Sequence, residues 1–310
     1  MTKILLLGEC MIELKDVSTQ SNPNIAQQAF AGDVFNTAVY LKRLFPQIDV
    51  DMVTAVGKDK YSKEMLQVFN RESLGTSCVF ESEDKIPGLY SIQVDAQGER
   101  SFTYWRSDSA ARYVMNFMTA DVMRQLSKSD IFFFSGISLG VINTEDRDKF
   151  WLLIHTLKEA GVTIAFDLNY RPKLWRDKAE AQVQFLKAFE AADILLPGVD
   201  DFAAIFDVDT VQGVIKFFKD YSFQELIVKN GEQNVHCLSE HGHHIVDVTP
   251  VTDVVDTTSA GDSFNGGYLG ARMTGKSIIN SVELANQVAG FVIQHSGAIV
   301  DEAAFSSQFQ

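Results

Sequence analysis

The chain has 310 residues, 46% of them hydrophobic and 22% charged, with a net charge of −14. That length allows about two domains, or one large α/β domain with an appendage, and a core that needs neither disulfide nor metal to hold it. So acidic a surface repels phosphate backbones and anionic lipid, which sets nucleic acid and membranes aside as partners but leaves room for a locally basic site that takes an anionic small molecule.

In chain order, the first predicted strand is Ile4–Leu7. Its apolar run is too short for a signal peptide, and Glu9 interrupts it. Further strands are predicted at Val50–Ala55, Ile131–Ser135, Thr163–Asp167, Asp193–Leu196 and Glu225–Lys229, each almost continuously apolar, as strands covered on both faces should be. Helical patterns lie between them. Val34, Ala38, Leu41 and Leu44 share one face opposite Lys42 and Arg43, and Phe150 to Ala160 follows a capping run at Asn143-Thr144-Glu145-Asp146. Repeated strand–helix units predict an α/β fold, with a mostly parallel central sheet and helices on both faces. From Ala260 onward the chain reads as two helices.

Two segments, about 11–30 and 86–107, break this rhythm with alternating patterns such as Tyr90-Ser91-Ile92-Gln93-Val94 and Ser101-Phe102-Thr103-Tyr104-Trp105. Ala96-Gln97-Gly98-Glu99 between the latter two is a hairpin-turn pattern. They predict a small β lid inserted into one α/β domain that spans 1–310. A second hairpin is predicted from Gln233–Leu238 and His244–Val248. The cysteines Cys10, Cys78 and Cys237 are far apart with no CxxC spacing, which indicates reduced thiols and a cytoplasmic protein.

The most informative segment is Val255-Asp256-Thr257-Thr258-Ser259-Ala260-Gly261-Asp262-Ser263-Phe264. Small residues lead into a helix, so the amides of Ala260, Gly261 and Asp262 are expected to face an anion at the helix N-terminus. Asp262 suits a plain dipole-compensating cap, or a general base beside that anion hole.

This run resembles the C-terminal signature of the ribokinase family of sugar kinases, D-T-x-G-A-G-D-x-F. Ala31-Gly32-Asp33-Val34-Phe35-Asn36-Thr37-Ala38 resembles the family's N-terminal glycine-bearing signature. Gly8-Glu9-Cys10-Met11-Ile12-Glu13-Leu14, Tyr104-Trp105-Arg106, Ser135-Gly136-Ile137-Ser138 and Asp167-Leu168-Asn169-Tyr170-Arg171-Pro172 are most similar to 2-keto-3-deoxygluconate kinases. The matches keep family order over nearly the whole chain. Ser259 and Ala31 stand where glycines are usual, and Gly198-Val199-Asp200-Asp201 replaces the family's N-x-x-E.

The resemblance implies a ribokinase-like fold and ATP-dependent phosphorylation of 2-keto-3-deoxygluconate at its C6 hydroxyl. It implies Asp262 as base, with Ala260 and Gly261 stabilising the moving phosphoryl group. Gly32, Asn36, Tyr90, Tyr104, Arg106, Asn169 and Arg171 would meet the sugar acid; Asn169, Arg171, Lys229, Gly231, Ser259, Ala260, Gly261 and Asn286 would meet ATP. Magnesium would involve Asp201 through water, and a monovalent cation is a further candidate. Either Arg106 or Arg171 would take the substrate carboxylate. The exposed aromatic lid suggests a homodimer or higher homo-oligomer. Alternatives are a fructokinase-like or other neutral-sugar kinase, or a non-catalytic sugar sensor on the same fold.

Three further patterns read as decoys. Gly270 to Ser277 fits GxxxxGK[ST], but it falls at a helix end rather than after a strand. Gly136 to Gly140 fits GxSxG, but its helix is expected only from Asn143 or Thr144. His241-Gly242-His243-His244 is expected to be a solvated hairpin tip.

Overall fold

The computed structural model describes residues 2–18, 24–94 and 100–309. The run begins with β1 (Lys3–Leu7), β2 (Met11–Asp16), β3 (Ala26–Ala31), α1 (Asp33–Leu44), β4 (Asp49–Val56), α2 (Lys60–Arg71) and β5 (Gly75–Glu81). Next come β6 (Leu89–Val94), β7 (Arg100–Trp105) and α3 (Ala120–Leu126). Strand–helix units then repeat through β8 (Ile131–Ser135), α4 (Gly136–Val141), α5 (Arg147–Glu159), β9 (Thr163–Asp167), α6 (Lys178–Ala191), β10 (Ile194–Leu195), α7 (Val199–Phe206), α8 (Val211–Phe217) and β11 (Glu225–Val228). The chain closes with β12 (Val235–Ser239), β13 (Gly242–Val246), α9 (Ala260–Met273), α10 (Ile278–Val292) and α11 (Glu302–Phe309).

A nine-stranded sheet runs in the order β13-β12-β11-β10-β9-β8-β1-β4-β5. All of its pairs are parallel except β11–β12 and β12–β13. Its strands are buried on both faces, and period-two alternation sends neighbours into different cores. Leu5, Leu7, Phe132 and Phe134 pack with Phe150 of α5, Phe185 of α6 and Phe202 of α7. Ile4, Leu6, Ile131 and Phe133 pack on the other side with Phe35 of α1, Phe264 and Tyr268 of α9, and Val282 of α10. Truncating one such buried phenylalanine costs about 3–5 kcal/mol.

A second sheet, in the order β3-β2-β6-β7, is built from the two segments that break the α/β rhythm. Its β6–β7 pair sets Tyr90 opposite Tyr104. The turn expected at Ala96–Glu99 lies outside the described residues.

Several boundaries differ from expectation. The helix expected from Phe150 starts at Arg147, because a 3-10 turn at Thr144–Asp146 supplies its acidic opening. The second hairpin is Val235–Ser239 with Gly242–Val246, turning at Gly242 with φ +108. Beyond Ala260 there are three helices instead of two, since Phe305 of α11 packs onto Tyr40, Val288 and Val292. A helix also follows Ser135 at once, contrary to the expectation for the GxSxG segment. Ser138 is no exposed nucleophile there: it forms a capping box with Ser135 and donates to the Leu7 carbonyl at 2.7 Å. Gly270 to Ser277 is the end of α9 and its turn, with Gly275 at φ +84 and Ser277 capping α10. No helix of the described residues is long and apolar enough to cross a membrane.

Candidate active site

The polar residues gather where open α/β sheets place their sites, at the C-terminal ends of β1, β8, β9 and β11. The N-termini of α1 and α9 close over them. Asp256 shapes the approach to α9, accepting from Thr258 N at 2.9 Å and Gly297 N at 2.8 Å. Ser259 then turns the chain in the left-handed region, at φ 66 and ψ 10. This conformation explains the glycine usual at that position better than close approach of a ligand does, since a side chain is strained there.

Of the three amides expected to be open, Ala260 is not. Its N–H donates to the Thr257 carbonyl at 3.3 Å, so the turn itself consumes it. The N–H groups of Gly261 and Asp262 have no backbone acceptor among the described residues, and they carry the positive end of the helix dipole. A Cβ placed on Gly261 would find only Lys229 Nζ within 4 Å, at 3.9 Å. The space between the helix N-terminus and that ammonium is an open cradle for an anion.

Around the cradle sit three carboxylates, each held by different partners. Asn36 donates from Nδ2 to Asp262 Oδ2 at 2.9 Å. Ser135 Oγ and Asn169 Nδ2 donate to Asp33 Oδ2 at 2.5 and 3.1 Å. Asp167 takes Lys229 Nζ at 2.9 Å on one oxygen and Asn265 Nδ2 at 2.9 Å on the other. Lys229 also donates to Asn265 Oδ1 at 3.1 Å, which leaves one of its three donors for a ligand. Burial pushes the Asp262 carboxyl up to about 7, the Asp33 and Asp167 charges push the same way, and the Asn36 amide opposes them. Asp33 is raised as well, mainly by burial, against the Ser135 bond. A base poised near neutrality beside an anion cradle is equipped for proton removal from a hydroxyl.

On the β10–β11 side, Arg171 Nη1 bonds Asp201 Oδ1 at 3.2 Å. Burial raises the Asp201 carboxyl while the Arg171 charge opposes it. Gly231, at φ +58, has open space around it and belongs to the loop whose Asn230, Gln233 and Asn234 line, with His236, a recess of about 350 Å³. Asn286 lies on α10, its Nδ2 buried without a hydrogen-bond partner.

Other expected residues meet at the small sheet. Gly32 caps α1, and a Cβ there would overlap the Glu9 carbonyl oxygen, so glycine is required. Tyr104 stacks on Tyr90 with centroids 5.7 Å apart. The Tyr90 hydroxyl donates to Glu13 and keeps only acceptor capacity for a ligand. Arg106 is no solvated edge charge, because it is ion-paired with buried Glu9. Arg106 and Arg171 thus occupy different places, one at the base of the small sheet and the other beside Asp201. Sequence reasoning passed over Asp33, Ser135, Asp167 and Asn265 as site residues. The signal for them was weak: Asp33 in a first helical turn, Ser135 and Asp167 at strand ends, and Asn265 one turn into α9.

Residues 1–304 match the pfkB family of carbohydrate kinases. The chain belongs to the pfkB family of carbohydrate kinases. A Haemophilus influenzae protein named 2-dehydro-3-deoxygluconokinase is 39% identical, covering 99% of this chain and 98% of its own length. The crystal structure of a Thermotoga maritima protein of the same name superposes with a TM-score of 0.83 at 20% identity, over 99% of this chain and 100% of that one. An Escherichia coli structure described as a putative ribokinase II in complex with ATP and Mg2+ gives 0.82 at 21% identity, over 96% and 94%. A carbohydrate kinase of this family takes ATP and a sugar.

Proposed function

We propose that this carbohydrate kinase transfers the γ-phosphoryl group of ATP to the C6 hydroxyl of 2-keto-3-deoxygluconate (also called 2-dehydro-3-deoxygluconate), giving 2-keto-3-deoxy-6-phosphogluconate. The observation that carries the reading is Asp262, a carboxyl raised to about 7 that is held by Asn36 beside the open amides of α9. Asp262 accepts the hydroxyl proton as the oxygen attacks. The N–H groups of Gly261 and Asp262 then stabilise the charge on the phosphoryl oxygens, with the spare donor of Lys229 across the cradle. Gly32, Asn36, Asn169 and Tyr104 orient the sugar acid, Tyr90 accepts from a hydroxyl, and Arg106 takes the carboxylate. Arg171, Gly231 and Asn286 serve the nucleotide.

Magnesium fits as an ion carried on the phosphates. No three His, Cys, Asp or Glu side chains of the described residues are grouped to hold a metal; Asp201, at the position of the family's N-x-x-E carboxylate, would meet the ion through water. When bound, the ion would neutralise phosphate charge.

The small sheet acts as a lid over the sugar acid. We assign the exposed aromatics of β7, Phe102 at 38%, Tyr104 at 42% and Trp105 at 59%, to contact with a second copy of the chain. Three buried free thiols, Cys10, Cys78 and Cys237, suit the reducing cytoplasm. A coupled phosphorylation assay over 2-keto-3-deoxygluconate, fructose, ribose and adenosine tests the substrate. Preference for the sugar acid is expected; preference for fructose or ribose would replace it with a neutral-sugar kinase.

A further inference from the structure

The chain passes between the nine-stranded sheet and the small sheet four times; besides the passage at Gly32 from β3 into α1, the other three are at 8–10 between β1 and β2, at 82–88 between β5 and β6, and just after Trp105 at the end of β7. These other three crossings meet at the Glu9 side chain. On the first of them, the Glu9 side chain is 1% exposed. On the second, a Cβ added to Gly88 would lie 2.6 Å from Glu9 Oε1 and 3.0 Å from Arg106 Cβ, so only glycine leaves the carboxylate its place. On the third, Arg106 Nη2 pairs with Glu9 Oε2, its side chain 11% exposed.

An unpaired carboxylate at such depth is costly, so the pair is held together by its own burial. It is also incomplete. Neither Glu9 oxygen makes a hydrogen bond, nor do Arg106 Nε and Nη2, and the Thr54 and Ser109 hydroxyls are likewise buried without partners. A cavity of about 10 Å³, room for about one water, lies against Gly8, Glu9 and Ser138. Charge fixes the guanidinium, therefore, with Nη2 on Glu9 and Nε turned into the interior, and Nη1 is the nitrogen outside that buried set. A long arginine free at a lid edge would lose rotamer freedom on meeting a ligand; this one has lost it already. The Tyr104 ring, 5.8 Å from the guanidinium carbon, adds a second wall.

We propose that Glu9 is a positioning residue: it holds Arg106 at the base of the small sheet, ready for the carboxylate of the sugar acid. The inference rests on the reading of Arg106 as the carboxylate-binding residue. Glu9 touches no reacting atom, so its effect belongs in the KM of the sugar acid and not in kcat.

Glu9→Asp keeps the charge but withdraws the carboxylate by one methylene. Gly88→Ala pushes the carboxylate from the opposite side and leaves Glu9 intact. For each variant, KM for 2-keto-3-deoxygluconate is expected to rise about five- to tenfold, with kcat and KM for ATP within about twofold of the parent. Arg106→Ala, measured alongside, is expected to raise the same KM further. If Arg106→Ala raises that KM while both other variants leave it unchanged, Glu9 is only structural and the inference fails, with the proposed function intact. If the two variants lower kcat and raise both KM values together, the loss is one of folding and the inference also fails. Should Arg106→Ala itself leave the sugar-acid KM unchanged, the carboxylate reading falls, and the role of Glu9 falls with it.

Discussion

Asn36 and Asp262 lie 226 positions apart in sequence, yet the Asn36 amide donates to the Asp262 carboxylate at 2.9 Å and joins the N-terminal ends of α1 and α9. The bond favours the ionised carboxylate, against burial and against the charges of Asp33 and Asp167. In Asn36→Ala that support is gone, so the Asp262 carboxyl rises further. The acid limb of the kcat–pH profile is then expected to move to higher pH, with activity at pH 6.5 falling severalfold more than activity at pH 8.5. An unmoved or downward-shifted limb would remove Asn36 from the control of the base.

Gly261→Ala separates folding from chemistry. The added methyl meets no protein atom closer than 3.9 Å, and alanine is the better helix former by about 0.5–1 kcal/mol, so thermal stability should hold or rise. The methyl fills the cradle beside Lys229, however, and kcat is expected to fall about 10²-fold, the scale for losing one donor to a developing oxyanion. Melting curves and steady-state turnover of one preparation check both halves.

Ser259 occupies the left-handed region, where an L side chain costs about 1–2 kcal/mol and glycine does not. Ser259→Gly should stabilise the fold by up to about 1 kcal/mol once the extra chain entropy of glycine is deducted. Its kcat/KM should stay within about tenfold of the parent, because the cradle is built from backbone amides. Denaturant unfolding reads the first quantity, and a larger kinetic loss would give the hydroxyl a role of its own.

Much of this arrangement was legible in the sequence because it is local. Continuous apolar runs such as Ile131–Phe134 gave the buried parallel strands, and the small residues before Asp262 gave the helix N-terminus. The tight turn at Ala260 could not be read that way, since spending its amide on Thr257 depends on the left-handed Ser259. Nor could the partners of Tyr90 and Arg106. Glu13 and Glu9 stand well over seventy positions from them, and only the pairing of β2 with β6 brings the strands together. The polar set at Asp33, Ser135, Asp167 and Asn265 was hidden for a similar reason: each residue alone is an ordinary helix-start, strand-end or helix-interior polar residue, and only the sheet order assembles them. Helix α4 was missed because its apolar run, Ile137 to Val141, is too short to show a period.

The most direct measurement is turnover and stability of Asp262→Asn as functions of pH. Asparagine keeps the size and the cap but cannot accept the proton, so kcat on 2-keto-3-deoxygluconate is expected to fall about 10²–10⁴-fold with little change in ATP affinity. The folded pKa of Asp262 lies above the ordinary carboxylate value. The stability this group contributes is therefore full at low pH and is lost as pH rises through about 7. The variant should accordingly melt higher than the parent at pH 8, with the gap closing toward pH 4. A folded variant that retains near-parental turnover would contradict the assignment of Asp262 as the base.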